Sequence, residues 1–434
     1  MDEAKKPVKV AIVGLGSRGK DTYVPCVKEF PEKMQIVAIA DIVKEKVDEV
    51  AAEYHIPKEM CFSSAEELLA QDRLADALFI CTMDQQHFGH AIPALKKGYH
   101  LLLEKPISPS LQECAEVARV AKECRRHVVV CHVLRYTPFY QELKRIIDSG
   151  KIGDVVSLQA IENVGYWHQA HSFVRGNWAN SDTTSPMILQ KCCHDMDILL
   201  WLANKKSKYV SSYGSLRLFK PENAPAGAAA RCMDGCAAKE SCPFDAEKIY
   251  ITNPKTGVAA GNTGWPCNVL TLTPTVESIT KAIQEGPYGV CVYHAGNNVV
   301  DHQVVNIEME DGATVNFTMC AFTSEGGRFT KIMGTKGDIL ADMGTNLITV
   351  CEFGKEKEVI DVSKLAENFS GHGGGDVRLV EDLMDLIQNG AEPGQGLTSI
   401  DRSVESHFLA LGAEYSRLHH GESIAIADVE KLVK

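Results

Sequence analysis

The stretch VKVAIVGLGSRGKDTYVPCVKEFPEKMQIVAIAD occupies residues 8–41 and places a glycine-rich turn between two apolar runs. The first run, residues 8–13, has the composition of a strand that is buried on both faces. It leads into Gly14-Leu15-Gly16-Ser17-Arg18-Gly19, a G-x-G-x-x-G turn. The second run, residues 34–40, ends in Asp41. A strand, this turn, a crossover helix and a second strand closed by an acid predict a dinucleotide site.

Each glycine has a separate role if a dinucleotide binds to this turn. Gly14 makes the tight turn, Gly16 lets backbone N–H groups approach the pyrophosphate, and Gly19 permits close strand–helix packing. Leu15, Ser17 and Arg18 complete the loop, and the positive end of the following helix faces the phosphates. Asp41 can accept hydrogen bonds from the ribose hydroxyls and would repel a 2′-phosphate, which favours NAD over NADP. The alternative is a purely structural turn.

The composition is that of an ordinary globular protein with room for two domains. The chain has 434 residues, of which 45% are hydrophobic and 24% are charged. Its formal charge of −12 argues against nucleic acid or an anionic membrane as a partner. The polar residues 1–9 lead directly into the first strand, so we expect no signal peptide and no membrane partner. Fifteen cysteines without a secretion signal indicate reduced thiols in a cytoplasmic protein.

Strands and helices alternate along the first third of the chain. Further strands are predicted at residues 74–80, 99–103 and 127–132, with helices at 87–97 and 110–125. This alternation predicts a doubly wound parallel sheet, in which ligands bind at the carboxyl ends of the strands. Besides the turn and Asp41, the side chains expected at that edge are Thr82, His87, Glu104, Lys105 and Arg135.

The pattern changes beyond about residue 140. Strand-like segments joined by turns predict one large, mainly antiparallel open sheet. They cover residues 155–162, 208–218, 304–309, 314–318, 330–334, 337–341 and 347–352. Helices are predicted at 196–203, 376–389 and 399–418. We therefore expect an α/β protein with a Rossmann domain at residues 1–136 and an α+β domain at 137–434. A Cys-, Gly- and Pro-rich insertion occupies about residues 220–290 of the second domain.

Three motifs together resemble the Gfo/Idh/MocA oxidoreductases. They are the nucleotide turn, Glu104-Lys105-Pro106 at a strand end, and His194-Asp195-Met196-Asp197 before a helix. The resemblance implies an NAD-dependent dehydrogenase of sugars or cyclitols, with NAD-dependent glycosidases among the relatives. It also implies that the open sheet forms an oligomer interface. We therefore expect a homo-oligomer, a dimer or tetramer, that acts on a small sugar, glycoside or cyclitol.

Lys105 and His194 are the catalytic residues that the resemblance implies. The family's lysine lies beside the reacting sugar carbon, often before a cis proline. Hydride leaves a carbinol carbon only as the hydroxyl proton is withdrawn, so a base must touch that oxygen. A closed pocket beside a cationic nicotinamide disfavours a charged ammonium, which makes a lysine a usable base. His194 matches the family's catalytic or substrate-orienting histidine.

The histidine motif departs from the family pattern at two positions. The usual aspartate four residues before the histidine is Gln190, which weakens any Asp–His relay. Lys191 replaces an apolar residue and is expected to bring a second cation to the substrate. We expect Asp195 and Asp197 to cap the following helix.

Two polar stretches, residues 162–178 and 293–303, are predicted to line the substrate pocket. Aromatic faces can stack on pyranose C–H groups, while histidine and arginine bind hydroxyls. The predicted substrate contacts are Arg135, Tyr166, Trp167, His168, His171, Arg175, Trp178, Lys191 and His302. The alternative for each stretch is a solvated loop.

Cys232, Cys236 and Cys242 form a cluster within the insertion. They could hold a structural zinc if Cys291 or Cys267 supplied a fourth ligand. Free thiols are an equal expectation, and a disulfide or an iron–sulfur cluster is a lesser one.

Three functions are compatible with these motifs. The preferred one is net hydride transfer from a carbohydrate or cyclitol hydroxyl to NAD. The second is a glycosidase that oxidises C3, eliminates the aglycone and returns the hydride. That cycle needs another base near C2, for which His171, Tyr166 and His302 are candidates. The third is a non-catalytic sugar or NAD sensor, against which the presence of Lys105 and His194 argues.

Overall fold

The computed structural model describes residues 5–432. In it, the glycine-rich turn follows a strand of a six-stranded parallel sheet. Its strands are β1 (Val8–Val13), β2 (Met34–Ala40), β3 (Cys61–Phe62), β4 (Ala77–Ile80), β5 (His100–Leu103) and β6 (Val128–Val130). Their order, β3-β2-β1-β4-β5-β6, places β1 at the centre with the chain winding outwards in both directions. The doubly wound prediction is confirmed, and only the two-residue β3 was not anticipated.

Helices connect these strands and cover the sheet. They are Lys44–Tyr54, Ala65–Ala70, His87–Lys96 and Leu111–Glu123. Ser64 and Ser110 cap the second and fourth by accepting hydrogen bonds from backbone N–H groups three residues ahead. A wide helical turn, Ser17–Tyr23, and the short helix Cys26–Glu29 follow the glycine-rich turn.

The second sheet has nine strands and is mainly antiparallel, as predicted. Its strands are β7 (Val155–Asn163), β8 (Ser207–Ser215), β9 (His302–Met309), β10 (Thr314–Cys320), β11 (Gly327–Gly334), β12 (Gly337–Asp342), β13 (Leu347–Glu352), β14 (Glu358–Asp361) and β15 (Ile424–Ala425). The order is β14-β13-β12-β11-β7-β10-β9-β8-β15, and only β7 and β10 pair in parallel. One face packs against helices Pro138–Asp148, Cys193–Ala203 and Ile400–Leu418.

The insertion has a hydrophobic cluster of its own. Phe219, Phe244, Ile249 and Tyr250 are buried in it, together with side chains of the helix Val276–Glu285. Ala170 and Val174 belong to the same cluster, so the insertion is packed onto the predicted substrate stretch.

The chain returns to the first sheet near its C-terminus. The helix Gly375–Gln388 buries Leu379, Val380 and Leu383 in the same cluster as β1. The Val130 N–H donates to the Thr398 carbonyl oxygen (2.9 Å), which extends the edge of this sheet. The first core is thus built from both ends of the chain, and the domain division at residue 136 stays a prediction.

Within residues 5–432, no helix combines the length and apolar character needed to span a membrane. The first four residues of the segment examined for a signal peptide lie outside the described part of the chain.

Candidate active site

The glycine-rich turn has the shape that a bound pyrophosphate requires. Gly14 has a φ of +87°, and a Cβ there would lie 2.6 Å from the Cys81 carbonyl oxygen. A Cβ on Gly19 would lie 1.9 Å from the Gly14 carbonyl oxygen, so only glycine permits this packing. A Cβ on Gly16 would meet no atom within 4 Å, which leaves the backbone open to a ligand. The arrangement fits a dinucleotide.

Asp41 closes the turn at the end of β2. One carboxylate oxygen accepts a hydrogen bond from the Leu15 N–H (2.5 Å) and the other from the Val43 N–H (2.8 Å). Ile42, the next residue, is 86% exposed, although it is a large apolar side chain. The carboxylate and the exposed apolar side chain therefore stand side by side, where a ribose and an adenine would need them.

Arg18 and Glu104, both predicted cofactor contacts, form a buried ion pair. Arg18 Nε donates to Glu104 (2.6 Å), and its Nη2 donates to Asp376 (2.7 Å). Burial alone would raise the pKa of Glu104, but Arg18 and Lys105 outweigh it and lower the pKa. The Tyr23 hydroxyl also donates to Glu104 (2.6 Å). The nucleotide loop is thereby joined to the end of β5 and to the helix Gly375–Gln388, which carries Asp376.

Thr82 follows the end of β4, and His87 is the first residue of the next helix, His87–Lys96. The Thr82 hydroxyl is 3.0 Å from His90 Nδ1. His87 is buried, with one ring nitrogen 3.0 Å from the Thr82 carbonyl oxygen and the other 2.8 Å from that of Pro106. The Lys105–Pro106 peptide bond is cis. His87 therefore links the Thr82 backbone to the segment that carries Lys105.

Lys105 and His194 are brought together from the two halves of the chain. Lys105 Nζ donates to the Gln190 carbonyl oxygen (3.0 Å), one helical turn before His194. His194 is 5% exposed, and burial together with the Lys105 ammonium holds its pKa well below the usual range. Among the residues that the structure describes, none forms a hydrogen bond with its Nδ1. A neutral imidazole with an unused nitrogen therefore stands beside a lysine.

Two further imidazoles that the sequence did not single out contact His194. The ring centroids of His132 and His372 lie 6.1 Å and 5.9 Å from that of His194. His372 Nδ1 is 3.0 Å from the Asp376 carboxylate, and the side chain is 43% exposed. The signal that could have found His372 is the sequence Gly371-His372-Gly373-Gly374-Gly375-Asp376, a glycine-rich segment followed by an acid.

A buried carboxylate supports His132. Asp197 receives two hydrogen bonds of 2.7 Å from Arg135, and His132 Nδ1 lies 3.1 Å from it, an ion-pair distance without hydrogen-bond alignment. Burial opposes a charge on His132, but Asp197 outweighs it and raises the pKa of His132 to about 9. Arg135, predicted to bind substrate, is therefore engaged within the protein.

Lys191 belongs to a buried group of four charges. Its Nζ lies 2.9 Å from Glu162, and Arg328 lies 2.9 Å from the same carboxylate. Arg328 also makes two hydrogen bonds to Asp195 (2.8 and 3.1 Å). Burial raises the pKa of Asp195, and the neighbouring Glu162 adds to the effect.

The prediction that Asp195 and Asp197 cap a helix is wrong. The helix begins at Cys193, and no side chain caps it. Both aspartates therefore lie inside the helix, where they bind the arginines of other elements rather than free N–H groups.

The stretch around Tyr166–Trp178 is helical rather than a solvated loop: a short helix, Tyr166–His168, continues into the wide helical segment Gln169–Arg175, whose residues are buried. Trp167 stacks on His168 (5.8 Å between centroids), and His171 Nδ1 lies 3.0 Å from the Tyr250 hydroxyl. Tyr166 contacts Phe244 edge-on at 6.2 Å, and Trp178 packs on Phe173 at 6.2 Å.

Two other predicted substrate residues have partners within the protein. Arg175 is 5% exposed and donates to the carbonyl oxygens of Val290 (2.7 Å) and Phe244 (2.8 Å), so it anchors the insertion. His302 is 39% exposed, with its Nδ1 2.8 Å from Asp301. Direct substrate contact by the predicted residues stays a prediction.

The four cysteines predicted to bind zinc line one cavity with Arg175 in the insertion. Each is a free thiol, and burial raises the pKa of Cys232 and Cys242. Across the described residues, no three His, Cys, Asp or Glu side chains are grouped closely enough to hold a metal ion. The zinc prediction is therefore corrected: shared burial brings the thiols to one cavity without forming a coordination shell.

The parallel sheet with its glycine-rich turn defines a Rossmann-type nucleotide-binding fold. The family model described as an oxidoreductase family with an NAD-binding Rossmann fold matches residues 8–132. The model of the same family's C-terminal alpha/beta domain matches residues 144–399. The chain belongs to the Gfo/Idh/MocA oxidoreductase family, which confirms the resemblance carried by the three motifs.

Curated relatives and solved structures agree with this assignment. The putative oxidoreductase YteT from Bacillus subtilis is 23% identical over 399 residues, covering 86% of this chain and 88% of its own length. An inositol 2-dehydrogenase from Corynebacterium glutamicum is 26% identical over 202 residues, covering 46% of this chain and only 56% of that relative.

Two solved structures show the same fold at low identity. An oxidoreductase from Agrobacterium radiobacter, in complex with NAD+, L-tartaric acid and magnesium, has a TM-score of 0.68, 16% identity, and coverage of 97% of this chain and 99% of that one. A putative myo-inositol dehydrogenase from Sinorhizobium meliloti has a TM-score of 0.63 at 15% identity, with coverage of 96% and 99%.

Proposed function

We propose that this protein oxidises a hydroxyl group of a carbohydrate or cyclitol and passes the hydride to NAD. The observation that carries the proposal is the pairing of Lys105 with His194 at the sheet edge that holds the glycine-rich turn. The likeness to an inositol 2-dehydrogenase supports the substrate class.

The proton is handled by Lys105 and His194. Lys105 acts here as the neutral amine, the form that a closed pocket beside a cationic nicotinamide favours. This amine takes the proton from the substrate hydroxyl oxygen, because a carbinol carbon releases hydride only as that proton leaves. The neutral His194 holds the same oxygen through its unused Nδ1. The buried position of His194 keeps bulk water from competing for this contact. The nicotinamide supplies the hydride acceptor when NAD is bound.

Asp41 sets the choice of cofactor in this proposal. Its carboxylate is fixed by the Leu15 and Val43 N–H groups, so it cannot turn away from a 2′-phosphate without losing both bonds. The protein should therefore bind NAD more tightly than NADP, and Asp41→Ala should relax the preference. Titration of both cofactors tests this, and equal affinities of the native protein would contradict it.

The function is tested on protein purified with its nucleotide retained. Free sugars, cyclitols and aryl glycosides are screened for NADH absorbance and for release of the aglycone. NADH accumulation with a sugar or cyclitol supports the proposal. A failure of every sugar and cyclitol to reduce the bound NAD would contradict it.

The NAD-dependent glycosidase is a second candidate, favoured by His372. Elimination after C3 oxidation needs a further acid or base that the substrate can reach. His171 is almost fully buried against Tyr250, whereas His372 is 43% exposed and fixed by Asp376. Aglycone release without net NADH, lost in His372→Asn, would identify this cycle.

We also propose that the protein is a homo-oligomer and that the outer face of the nine-stranded sheet is the interface between its subunits. Val156, Tyr213 and Phe329 are 50%, 56% and 38% exposed on its strands. A second copy would cover this apolar surface. Light scattering should give a dimer or tetramer, and Phe329→Lys should shift it towards the monomer. A cytoplasmic location and the lack of a nucleic-acid partner stay predictions.

A further inference from the structure

One tryptophan of the insertion reaches the predicted substrate stretch. The Trp265 ring centroid lies 4.9 Å from that of His168, 5.0 Å from that of Trp167 and 5.3 Å from that of His171. The side chain therefore contacts three rings that are more than ninety residues earlier in the chain. We call Trp265, Trp167, His168 and His171 the aromatic wall.

Buried side chains of the insertion hold the aromatic wall in place. His171 stacks on Tyr288 with a centroid distance of 4.8 Å and an angle of 18°, and its Nδ1 lies 3.0 Å from the Tyr250 hydroxyl. Burial, with a contribution from Arg175, lowers the pKa of His171 to about 3. The wall is therefore uncharged at neutral pH, and its rings cannot easily reorient.

The front of the aromatic wall remains open. Trp265 is 40% exposed despite its three ring contacts. Asn268, three residues later, donates from Nδ2 to the Asp21 carboxylate (2.9 Å), while its Oδ1 is buried and has no hydrogen-bond partner within the described part of the chain. The segment thus joins the nucleotide loop and holds a hydrogen-bond acceptor that is free among the described residues.

Lys105 lies within electrostatic reach of both the aromatic wall and the catalytic imidazole. Burial lowers the pKa of His168 well below the usual range, and the Lys191 and Lys105 ammonium groups lower it further. Lys105 also lowers the pKa of His194. His194 makes its ring contacts with His132 and His372, whereas His168 belongs to the aromatic wall. The two imidazoles near Lys105 are therefore parts of different ring groups.

We propose that the aromatic wall is a second ring-binding subsite, which stacks the ring joined by a glycosidic bond to the sugar oxidised at Lys105. This proposal rests on the proposed function and makes its substrate class specific: a glycoside of two rings. An exposed indole stacks on the C–H face of a pyranose or on an aryl ring.

The experiment compares one-ring and two-ring compounds on the NAD-loaded protein. Binding is followed by tryptophan fluorescence, and turnover by NADH formation and aglycone release. The probes are glucose, galactose, mannose and myo-inositol, then disaccharides of the same three sugars, and their p-nitrophenyl glycosides. The variants are Trp265→Ala and Trp265→Phe, with Leu272→Ala as the control, because Leu272 is an exposed apolar side chain of the same insertion.

The expected result is a change in the ratio of kcat/KM for two-ring compounds to kcat/KM for one-ring compounds. In Trp265→Ala, kcat/KM for two-ring compounds should fall about tenfold more than kcat/KM for one-ring compounds. Trp265→Phe should recover most of the difference, and Leu272→Ala should leave the ratio at the wild-type value. A preference for disaccharides over p-nitrophenyl glycosides, or the reverse, identifies the source of the second ring. NAD affinity, measured for each variant, shows that the fold is intact.

Failure of this proposal and failure of the proposed function give different results. If every one-ring compound binds as tightly as its two-ring derivatives, or if Trp265→Ala leaves the ratio unchanged, the subsite is disproved while NADH formation still supports the oxidoreductase. If two-ring compounds bind in a Trp265-dependent manner but never reduce NAD, the subsite stands and the proposed function falls.

Discussion

His132 and His171 are almost equally buried, at 1% and 2% exposure, yet they have opposite charge states at neutral pH. His132 stands 3.1 Å from Asp197, which overcomes the effect of burial and raises the pKa of His132 to about 9. His171 lies among Tyr250, Tyr288 and Trp265, and burial lowers its pKa to about 3.

The difference shows that neighbouring groups, rather than burial alone, decide what a buried histidine can do. The cluster of His194, His132 and His372 contains the charged pair of His132 and Asp197, so its electrostatic energy changes when a proton is transferred nearby. The aromatic wall contains neutral rings and can only recognise shape and C–H surface. In our proposal, the first region performs the chemistry and the second selects the substrate.

The largest effect is expected when Lys105, which lies within reach of both regions, is changed. Lys105→Met keeps the length of the side chain and removes the ammonium. Turnover of an accepted sugar should fall by about 10²–10⁴, because a positioned acid or base is lost. NAD affinity should remain near that of the wild type, since the glycine-rich turn and Asp41 hold the nucleotide. Steady-state kinetics and cofactor titration provide the two measurements.

His194→Ala is the matched comparison for Lys105→Met. It should reduce turnover by the same factor as Lys105→Met or by a smaller one. Turnover of the double variant should fall by less than the product of the two single-variant factors, because the effects of groups that act as a unit are not additive. Substantial turnover in Lys105→Met would move the chemistry to another residue, with Lys191 as the first to test. Loss of NAD binding would instead make Lys105 a cofactor-positioning residue.

Removing the carboxylate beneath His132 is expected to be the next largest effect. Asp197→Asn leaves Arg135 and the His132 ring buried without a counter-charge. The free energy of unfolding should fall by about 3–5 kcal/mol, the usual cost of breaking a buried ion pair from one side. Urea unfolding measures it, with Asp311→Asn as a surface control that should keep the wild-type midpoint. A midpoint unchanged in Asp197→Asn would show that Asp197 does not stabilise the cation.

The decrease in the free energy of unfolding between pH 6.5 and 9 should depend on His132. Its pKa is raised in the folded state, so its contribution is fully present below about pH 6.5 and is lost as the pH rises through about 9. The charged and titratable groups that act on it are Asp197 and Cys193, with His194 and His407 in ring contact. The wild type should lose about 1–3 kcal/mol more than His132→Gln between pH 6.5 and 9. Parallel curves for the two proteins would contradict the assignment.

The smallest effect is expected when the pH falls from 6.5 to 5. The free energy of unfolding should decrease over this range because of His171. The unfolded chain binds a proton on this histidine near pH 6.5, whereas the folded protein does so only near pH 3. Stability should therefore fall as the pH drops from 6.5 to 5, by about 1–2 kcal/mol more in the wild type than in His171→Phe. An identical slope in His171→Phe would mean that His171 is charged in the folded state.

Local patterns in the sequence were sufficient for most of the fold. Strands of four or more apolar residues were located to within a few positions in both sheets, because alternation and continuous apolar runs are local signals. The glycine-rich turn and Lys105-Pro106 were found for the same reason: each is a short contiguous motif. The helix Lys44–Tyr54 has a weakly apolar face and was missed.

What the sequence could not predict depends on partners that are far apart in the chain. Asp197 looks like a helix cap until Arg135, 62 residues earlier, is seen to bind it. Arg18 meets Asp376 across 358 residues, and the same carboxylate lies 3.0 Å from Nδ1 of His372, whose ring contacts that of His194. Trp265 lies in an insertion with no regular periodicity, so no local pattern indicated its contact with His168.

The position of the helix Gly375–Gln388 in the sequence has a consequence for folding during synthesis. A ribosome makes all six strands of the nucleotide-binding sheet well before the helix Gly375–Gln388, which covers β1 and follows β6 by more than 240 residues. Until then the apolar surface that receives Leu379 and Leu383 is bare and open to aggregation. The nascent chain is therefore exposed to aggregation until this helix has been made, and a fragment ending at residue 136 would keep the apolar surface exposed.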